Sequence, residues 1–248
     1  MQRFGLIGYP LSHSFSAGYF AKKFAALNIS DAVYENFSVE NIDIFKDLLK
    51  KYSDFAGLNV TIPYKEQVMQ YLDEIDVVAL EVKAVNTIKF TRKDNKLILK
   101  GFNTDIYGFE TSLKPLLEPH HKKALILGTG GASKAIKFIL NKLGIEFVSA
   151  SILELQENEI RYEDINKAMI EDRLLIINAT PLGTYPKVDT CPSIPYEFIT
   201  PRHVLFDLVY NPEVTLFLKK GKERGAKTKN GLEMLHLQAE KAWEIWNS

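Results

Sequence analysis

Residues Lys122 to Leu140 read KKALILGTGGASKAIKFIL, and the rest of the chain is organised around them. Ala124 to Leu127 form a short apolar run, the mark of a strand buried on both faces. Gly128, Gly130 and Gly131 follow within four positions. Glycine permits positive φ and lets a backbone come close to a ligand. Ala132, Ala135, Ile136, Ile139, Leu140 and Leu143 then recur at helical spacing. A strand, a tight turn and a helix in this order aim backbone N–H groups and a helix dipole at an anion. The physical reading is a pyrophosphate cradle for a dinucleotide, with Ser133 where a third glycine often stands. The alternative is a plain strand–turn–helix with no ligand.

The chain has 248 residues, enough for one large domain or two small ones. It carries 31 basic and 31 acidic side chains, a formal net charge of +0, which argues against nucleic acid or an anionic membrane as the main partner. A single cysteine, Cys191, excludes an internal disulfide and fits a reducing compartment. No run approaches the roughly 18 apolar residues of a spanning helix. The start of the chain is too broken by Gly5, Gly8 and Pro10 for a signal peptide. A soluble cytoplasmic protein is the expectation. The histidines lack metal-ligand spacing, and neither HExxH nor paired CxxC occurs, so no metal is expected. G-x-S-x-G is also missing, which counts against a hydrolase of that type.

Along the chain, strands are expected at 4–7, 33–39, 57–63, 84–88, 147–149, 174–177 and 204–209, with a hairpin turning over 93–96. Helices are expected after Ser16, which is placed to cap the first, at 42–49, at 64–72 with Lys65 in the first turn, after Asp105, at 132–143, at 165–170, from Thr215, and from Leu232 to Trp246. Their alternation gives an α/β fold with a mostly parallel sheet.

Three clusters have the chemistry of a site. Ser12, Ser14 and Ser16 offer neutral donors and acceptors suited to a carboxylate or a polyhydroxylated ligand; the plainer reading is a turn and a helix cap. Asn59, Thr61 and Lys65 lie where a strand ends, the side on which open α/β sheets bind ligands. A lysine in a helix's first turn works against the dipole, although alone it reads as a solvated surface group. Asn86 and Asp105 sit at further strand or loop ends. A carboxylate and an ammonium brought together favour each other's charged forms.

Eight motifs then give a resemblance over nearly the whole chain: GYPLSHSFS, LNVTIPYKE, AVNTI, GFNTD, LGTGGASKAI, NATPLGT, DLVYNP and NGLEMLHLQA, in the order of the shikimate dehydrogenases. The resemblance implies two α/β domains, a substrate domain and a Rossmann-type, doubly wound cofactor domain with a parallel sheet. The expected boundaries are 1–103, 104–228, and 229–248 for a last helix returning to the substrate domain. It implies reversible reduction of 3-dehydroshikimate to shikimate with NADPH, by a monomer or homodimer. Lys65 and Asp105 match the family's catalytic pair. Ser14, Ser16, Asn59, Thr61, Asn86, Gln238 and Tyr210 match positions around the substrate. Gly128, Gly130, Gly131, Ala132, Ser133, Thr180, Leu208 and Gly231 match positions around the cofactor.

Two departures stand out. Ala17 replaces the proline that usually follows the second serine, which should alter only the helix start. At the second cofactor strand, Ser149-Ala150-Ser151 stands where NADP-binding members carry an Asn-Arg-Thr-like basic run. No acidic residue for a bare ribose stands there either. NADP remains the expected cofactor with NAD left open, and Lys187 or Arg161 are other cations within sequence reach. The segment 152–160 is also unlike the family's usual helix. A quinate-active paralogue using NAD, and a non-catalytic nucleotide sensor, are the competing readings.

Overall fold

A computed structural model describes residues 1–11, 14–94 and 96–248. Ser12 and His13 of the first motif, and Asn95 of the expected hairpin turn, lie outside the described residues. The chain divides into two compact units, one of Met1–Thr104 with Ala239–Ser248 and one of Asp105–Gln238.

The first unit begins β1 (Gln2–Gly8), α1 (Phe15–Ala26), β2 (Ala32–Ser38), α2 (Phe45–Lys51) and β3 (Phe55–Val60). It continues with β4 (Glu74–Ile75), α3 (Val77–Val82), β5 (Thr87–Lys93) and β6 (Lys96–Phe102). Its sheet runs in the order β2-β1-β3-β5-β6-β4 among the described residues. β1 pairs in parallel with β2 and β3, while β5 turns antiparallel against β3 and β6. The hairpin holds Phe90 opposite Leu99 and Lys93 opposite Lys96. One face is covered by a cluster that includes Phe45, Phe55, Leu58, Val68 and Ile88. The other carries an aromatic cluster of Phe4, Phe20, Phe24, Tyr34 and Trp246.

The second unit alternates more regularly. It holds α4 (Asp105–Leu113), β7 (Lys123–Leu127), α5 (Gly131–Lys142), β8 (Glu146–Ser151) and β9 (Glu159–Arg161). Then come α6 (Lys167–Asp172), β10 (Leu175–Asn178), β11 (Val204–Asp207), α7 (Leu216–Glu223) and β12 (Lys227–Lys229). Its sheet, β12-β11-β10-β7-β8-β9 among the described residues, is parallel throughout. β7 lies in the middle, and Ala124 to Leu127 are fully buried, as an apolar run in a doubly covered strand requires. Below the glycines, α5 turns Ala135, Ile136, Ile139 and Leu140 inward. The last helix, α8 (Leu232–Asn247), begins in the second unit and ends in the first.

Two α/β units of this kind bear out the expected fold class. Among the described residues no helix is long and apolar enough to cross a membrane. Four local expectations are corrected. Ser16 does not cap α1; it lies inside it, buried, and the cap position is Ser14, whose side chain makes no capping bond. Lys65 is not in the first turn of a helix. It sits in a turn before a short 3-10 helix, Gln67–Tyr71, because its carbonyl accepts from Val85 N at 2.7 Å and is held there. The dipole misplacement inferred for it therefore does not arise. The third strand stops at Val60, short of Pro63. The second cofactor strand runs on to Ser151, and the chain then loops into β9 with no intervening helix. β4, α3, β9 and β12 are elements that sequence periodicity did not announce.

Candidate active site

In the first unit the site residues converge on one buried hydrogen-bond network. Asn59 is near the end of β3, and its Oδ1 accepts from the Tyr34 hydroxyl at 2.8 Å. Its Nδ2 donates to Thr87 Oγ1 at 3.2 Å and to the Asn86 carbonyl at 3.3 Å. Asn86 Oδ1 accepts from Thr87 Oγ1 at 3.1 Å, from Thr104 N at 2.7 Å and from Thr104 Oγ1 at 3.2 Å. One amide oxygen thus ties the start of β5 to the segment after β6. Asn86 is only 3% exposed.

The Tyr34 hydroxyl also meets Ser16, while burial pushes its pKa well above the ordinary phenol range. Tyr34 stacks on Phe20 with ring centres 4.6 Å apart. The buried Ser14 hydroxyl has no partner among the described residues; a buried donor left unmade costs about 1–3 kcal/mol, so it is suited to a ligand acceptor. Thr61 lies one residue beyond β3 and donates its backbone N–H to the Ile7 carbonyl at 2.9 Å. Lys65 follows at the end of that loop. Tyr34, Thr87 and Thr104 are polar members that sequence reading did not single out. Thr87 and Thr104 each sit beside a named residue in AVNTI and GFNTD, which was the available signal. Tyr34 had none.

In the second unit the glycine turn is open. Gly128 has φ +101°, a left-handed conformation, and a Cβ there would come within 2.8 Å of Thr180 Cγ2. Glycine is needed at this point on both counts. At Gly130 and Gly131 a Cβ would meet nothing within 4 Å. No part of the chain fills that space, and no side chain caps α5 at Gly130. Ser133 N–H turns back to the Gly130 carbonyl at 2.9 Å, and the N–H groups of Gly131 and Ala132 before it have no intrahelical acceptor by helix geometry. Ser133 is buried, with its hydroxyl donating to the Gly130 carbonyl at 2.6 Å. An uncapped, uncovered helix start with glycines at its mouth fits a dinucleotide pyrophosphate.

Around it, the carboxyl ends of β10 and β11 are braced. Asn178 Nδ2 donates to Asp207 Oδ1 at 2.9 Å, and the Thr215 hydroxyl donates to Asp207 Oδ2 at 2.5 Å. Asn178 Oδ1 accepts from Thr180 N at 3.0 Å and Thr180 Oγ1 at 2.7 Å, fixing Thr180 beside Gly128. Burial pushes the Asp207 carboxyl up to about 6, against hydrogen bonds from Thr215, Val209 and Asn178 that lower it. Leu208 follows on, its N–H donating to the Asn178 carbonyl at 2.9 Å, and Gly231 N–H reaches Val209 O at 3.1 Å. Tyr210 is partly buried, with its phenol pKa raised by desolvation. Asp105 opens α4 and is buried. Gln238 Nε2 donates to the Leu235 carbonyl at 3.0 Å. Among the described residues no cluster of three His, Cys, Asp or Glu side chains is placed to hold a metal.

The strand-end residues need one further correction. Ala150 is completely buried in the apolar core, and Ser149 is buried too. The chain first becomes exposed past β8 at Ile152, 82% exposed, and Leu153, 65% exposed. An arginine at Ala150 would thrust its charge into the core.

A glycine-turned parallel α/β unit and a second α/β unit with a buried polar network define a pyridine-nucleotide-dependent oxidoreductase. Residues 6–88 match the family model described as the shikimate dehydrogenase substrate binding domain. The shikimate dehydrogenase (NADP(+)) of Desulforamulus reducens is 36% identical over 98% of this chain and 88% of its own length. Shikimate dehydrogenase 1 of Peptoclostridium difficile superposes with a TM-score of 0.83 at 38% identity, covering 100% of this chain and 92% of that one. A Thermus thermophilus shikimate 5-dehydrogenase, solved with NADP(H) and shikimate, gives a TM-score of 0.84 at 30% identity, covering 99% of this chain and 93% of that one. The chain belongs to the shikimate dehydrogenase family.

Proposed function

We propose that this protein catalyses the reversible, NADPH-dependent reduction of 3-dehydroshikimate to shikimate. The observation that supports the reading is a pair of unfilled sites, one in each unit. Ser14 holds a buried, unmade hydroxyl in the first unit, and the second leaves an uncapped glycine turn.

Ser14 and Ser16 bind the substrate carboxylate by hydroxyl donation. Asn59, Thr61 and Asn86 serve the ring hydroxyls, and Tyr210 and Gln238 complete the surroundings. Gly128, Gly130, Gly131, Ala132 and Ser133 cradle the pyrophosphate; Thr180, Leu208 and Gly231 line the nicotinamide end. NADPH, when bound, supplies the hydride. Reducing a ketone leaves negative charge on its oxygen, which needs a donor within hydrogen-bond reach. Lys65 is that donor: it gives a proton to the carbonyl oxygen as the C–H bond forms. Asp105 is the second member of the catalytic pair and accepts from a substrate hydroxyl. In the reverse direction Lys65 takes the proton back.

The lack of a basic residue in Ser149-Ala150-Ser151 favours a second reading: activity with NAD, and with quinate beside shikimate. We place the enzyme in the cytoplasm, as a monomer or homodimer, a choice that light scattering measures. A spectrophotometric assay of shikimate and quinate, each against NADP and NAD, tests both readings. Turnover fastest with shikimate and NADP is expected; turnover with neither substrate would overturn the assignment.

A further inference from the structure

We propose that Arg161, on β9, recognises the 2′-phosphate of NADP in place of the arginine that β8 lacks. The inference rests on the NADP reading above.

β9 lies directly beside β8 at the edge of the sheet and pairs with it in parallel, with Arg161 in register with Ser151. Paired residues on neighbouring strands share a face. The Ser151 hydroxyl lies 3.2 Å from that of Thr129, inside the glycine turn. It also accepts from Leu153 N at 3.1 Å. Arg161 is thus one strand over from the residue that closes the adenosine side of the cradle.

Its height along the sheet agrees. Glu159, two residues earlier on the same face, bonds Lys137 of α5 at 3.1 Å. From Glu159 to Arg161 the strand climbs about 6–7 Å. From Lys137 back to Ser133 the helix climbs about 6 Å. Arg161 therefore stands level with the first turn of α5, where the pyrophosphate binds.

The guanidinium reaches the loop that leaves β8. Its Nη1 donates to the Leu153 carbonyl at 2.7 Å, across the loop that leaves β8. Among the described residues it makes no ion pair, and its other N–H groups have no acceptor. Asp164 takes only the backbone N–H of Arg161, at 3.1 Å. An arginine presents five donors in a planar fork suited to phosphate, and here most of the fork is unspent. Lys137 is occupied by Glu159. Lys187 follows β10, two strands from β8 across β7, about 10 Å in strand spacing alone.

The missing helix now has a physical sense. With no helix after β8, the chain returns within seven residues, Ile152 to Asn158, to lay β9 alongside. That return brings a guanidinium from the next strand to the loop that holds Ile152.

The test is calorimetric titration of the full chain and its Arg161→Ala and Arg161→Gln variants with NADP, NAD and adenosine 2′,5′-bisphosphate. Glutamine can still donate to the Leu153 carbonyl but carries no charge, so it separates phosphate recognition from loop anchoring. A charge-assisted contact of about 1.5–3 kcal/mol corresponds to roughly 10- to 150-fold in affinity. Both variants should lose that much for NADP and for the bisphosphate while binding NAD within about twofold of the parent, well below that range. Equal losses for NAD and NADP, or loss in the alanine variant alone, would make Arg161 a loop anchor and overturn the proposal. So would unchanged NADP affinity in both variants, which would leave the phosphate to another cation such as Lys134. A parent that binds no NADP at all, by contrast, would sink the proposed activity itself.

Discussion

The two units solve recognition in opposite ways. The first uses side chains locked to one another: Tyr34, Asn59, Thr87, Asn86 and Thr104 hydrogen-bond among themselves, beside the unmade hydroxyl of Ser14. The second uses backbone at a helix start with no side-chain cap, kept bare by glycine. Selecting one small polyol acid needs fixed side-chain donors, because a misplaced buried polar group costs about 1–3 kcal/mol. A pyrophosphate is common to all dinucleotides, and amides with a helix dipole suffice for it. Discrimination between cofactors then falls to the strand edge, outside the cradle.

The largest effect that would test this division is at Lys65. Lys65→Ala should lower turnover by about 10²–10⁴-fold, while calorimetric NADP affinity stays within about twofold of the parent, far below that range. A comparable loss of NADP affinity would show that the halves are not separable in this way.

A pH series distinguishes the units next, because the brace of the second contains a buried acid and the network of the first is neutral. The Asp207 carboxyl is raised from 3.8 to about 6 in the folded state. The folded state therefore holds a proton that the unfolded chain has lost, and the contribution is fully present below the unfolded value. It disappears as pH rises from about 4 through 6, over a range of up to about 3 kcal/mol. Relative to Asp207→Asn, the parent should lose stability to urea across that window and run parallel above it. A difference growing with pH would mean that the hydrogen bonds outweigh burial.

Ser14→Ala sharpens the side-chain half. A hydroxyl bonded to a carboxylate is worth about 1.5–3 kcal/mol, so the Michaelis constant for shikimate should rise while that for NADP holds. A rise for NADP instead would place the loop against the wrong ligand.

The smallest change is expected at Tyr34. Tyr34→Phe keeps the stack on Phe20 and removes the hydroxyl's bonds to Asn59 and Ser16. About 1 kcal/mol, or roughly fivefold in the shikimate Michaelis constant, is expected with NADP binding unaltered. Unchanged kinetics would show that Asn59 holds its place without it.

The same contrast governs what could be read from sequence. The glycine turn was legible because conformation and ligand both act through local residue type: Gly128, Gly130 and Gly131 lie between an apolar run and an amphipathic helix. The parallel sheet followed from alternation. The network of the first unit was not legible in this way, since Tyr34 and Asn59 are brought together by β1 passing between β2 and β3, a long-range pairing that no local spacing records. Its residues came instead from the likeness of ordered motifs. The burial of Ser149-Ala150-Ser151 was not legible because strand ends are set by hydrogen-bond partners, here Arg161 opposite Ser151, and those partners lie in a strand of only three residues.

The shared last helix sets an order of events during synthesis. Trp246 packs against Phe4 with ring centres 5.0 Å apart and donates its indole N–H to the Ile88 carbonyl at 3.0 Å, across 158 positions of chain. Ala239 and Ala242 belong to the same aromatic cluster. A ribosome releases β1 to β6 long before these residues exist, so the first unit emerges with one face of its sheet covered by α1 alone, its aromatic cluster lacking Ala239, Ala242 and Trp246. The second unit, Asp105 to Gln238, is contiguous and can close as soon as it has been made. The half begun first is the half completed last, and its aromatic face is what a chaperone would meet on the nascent chain.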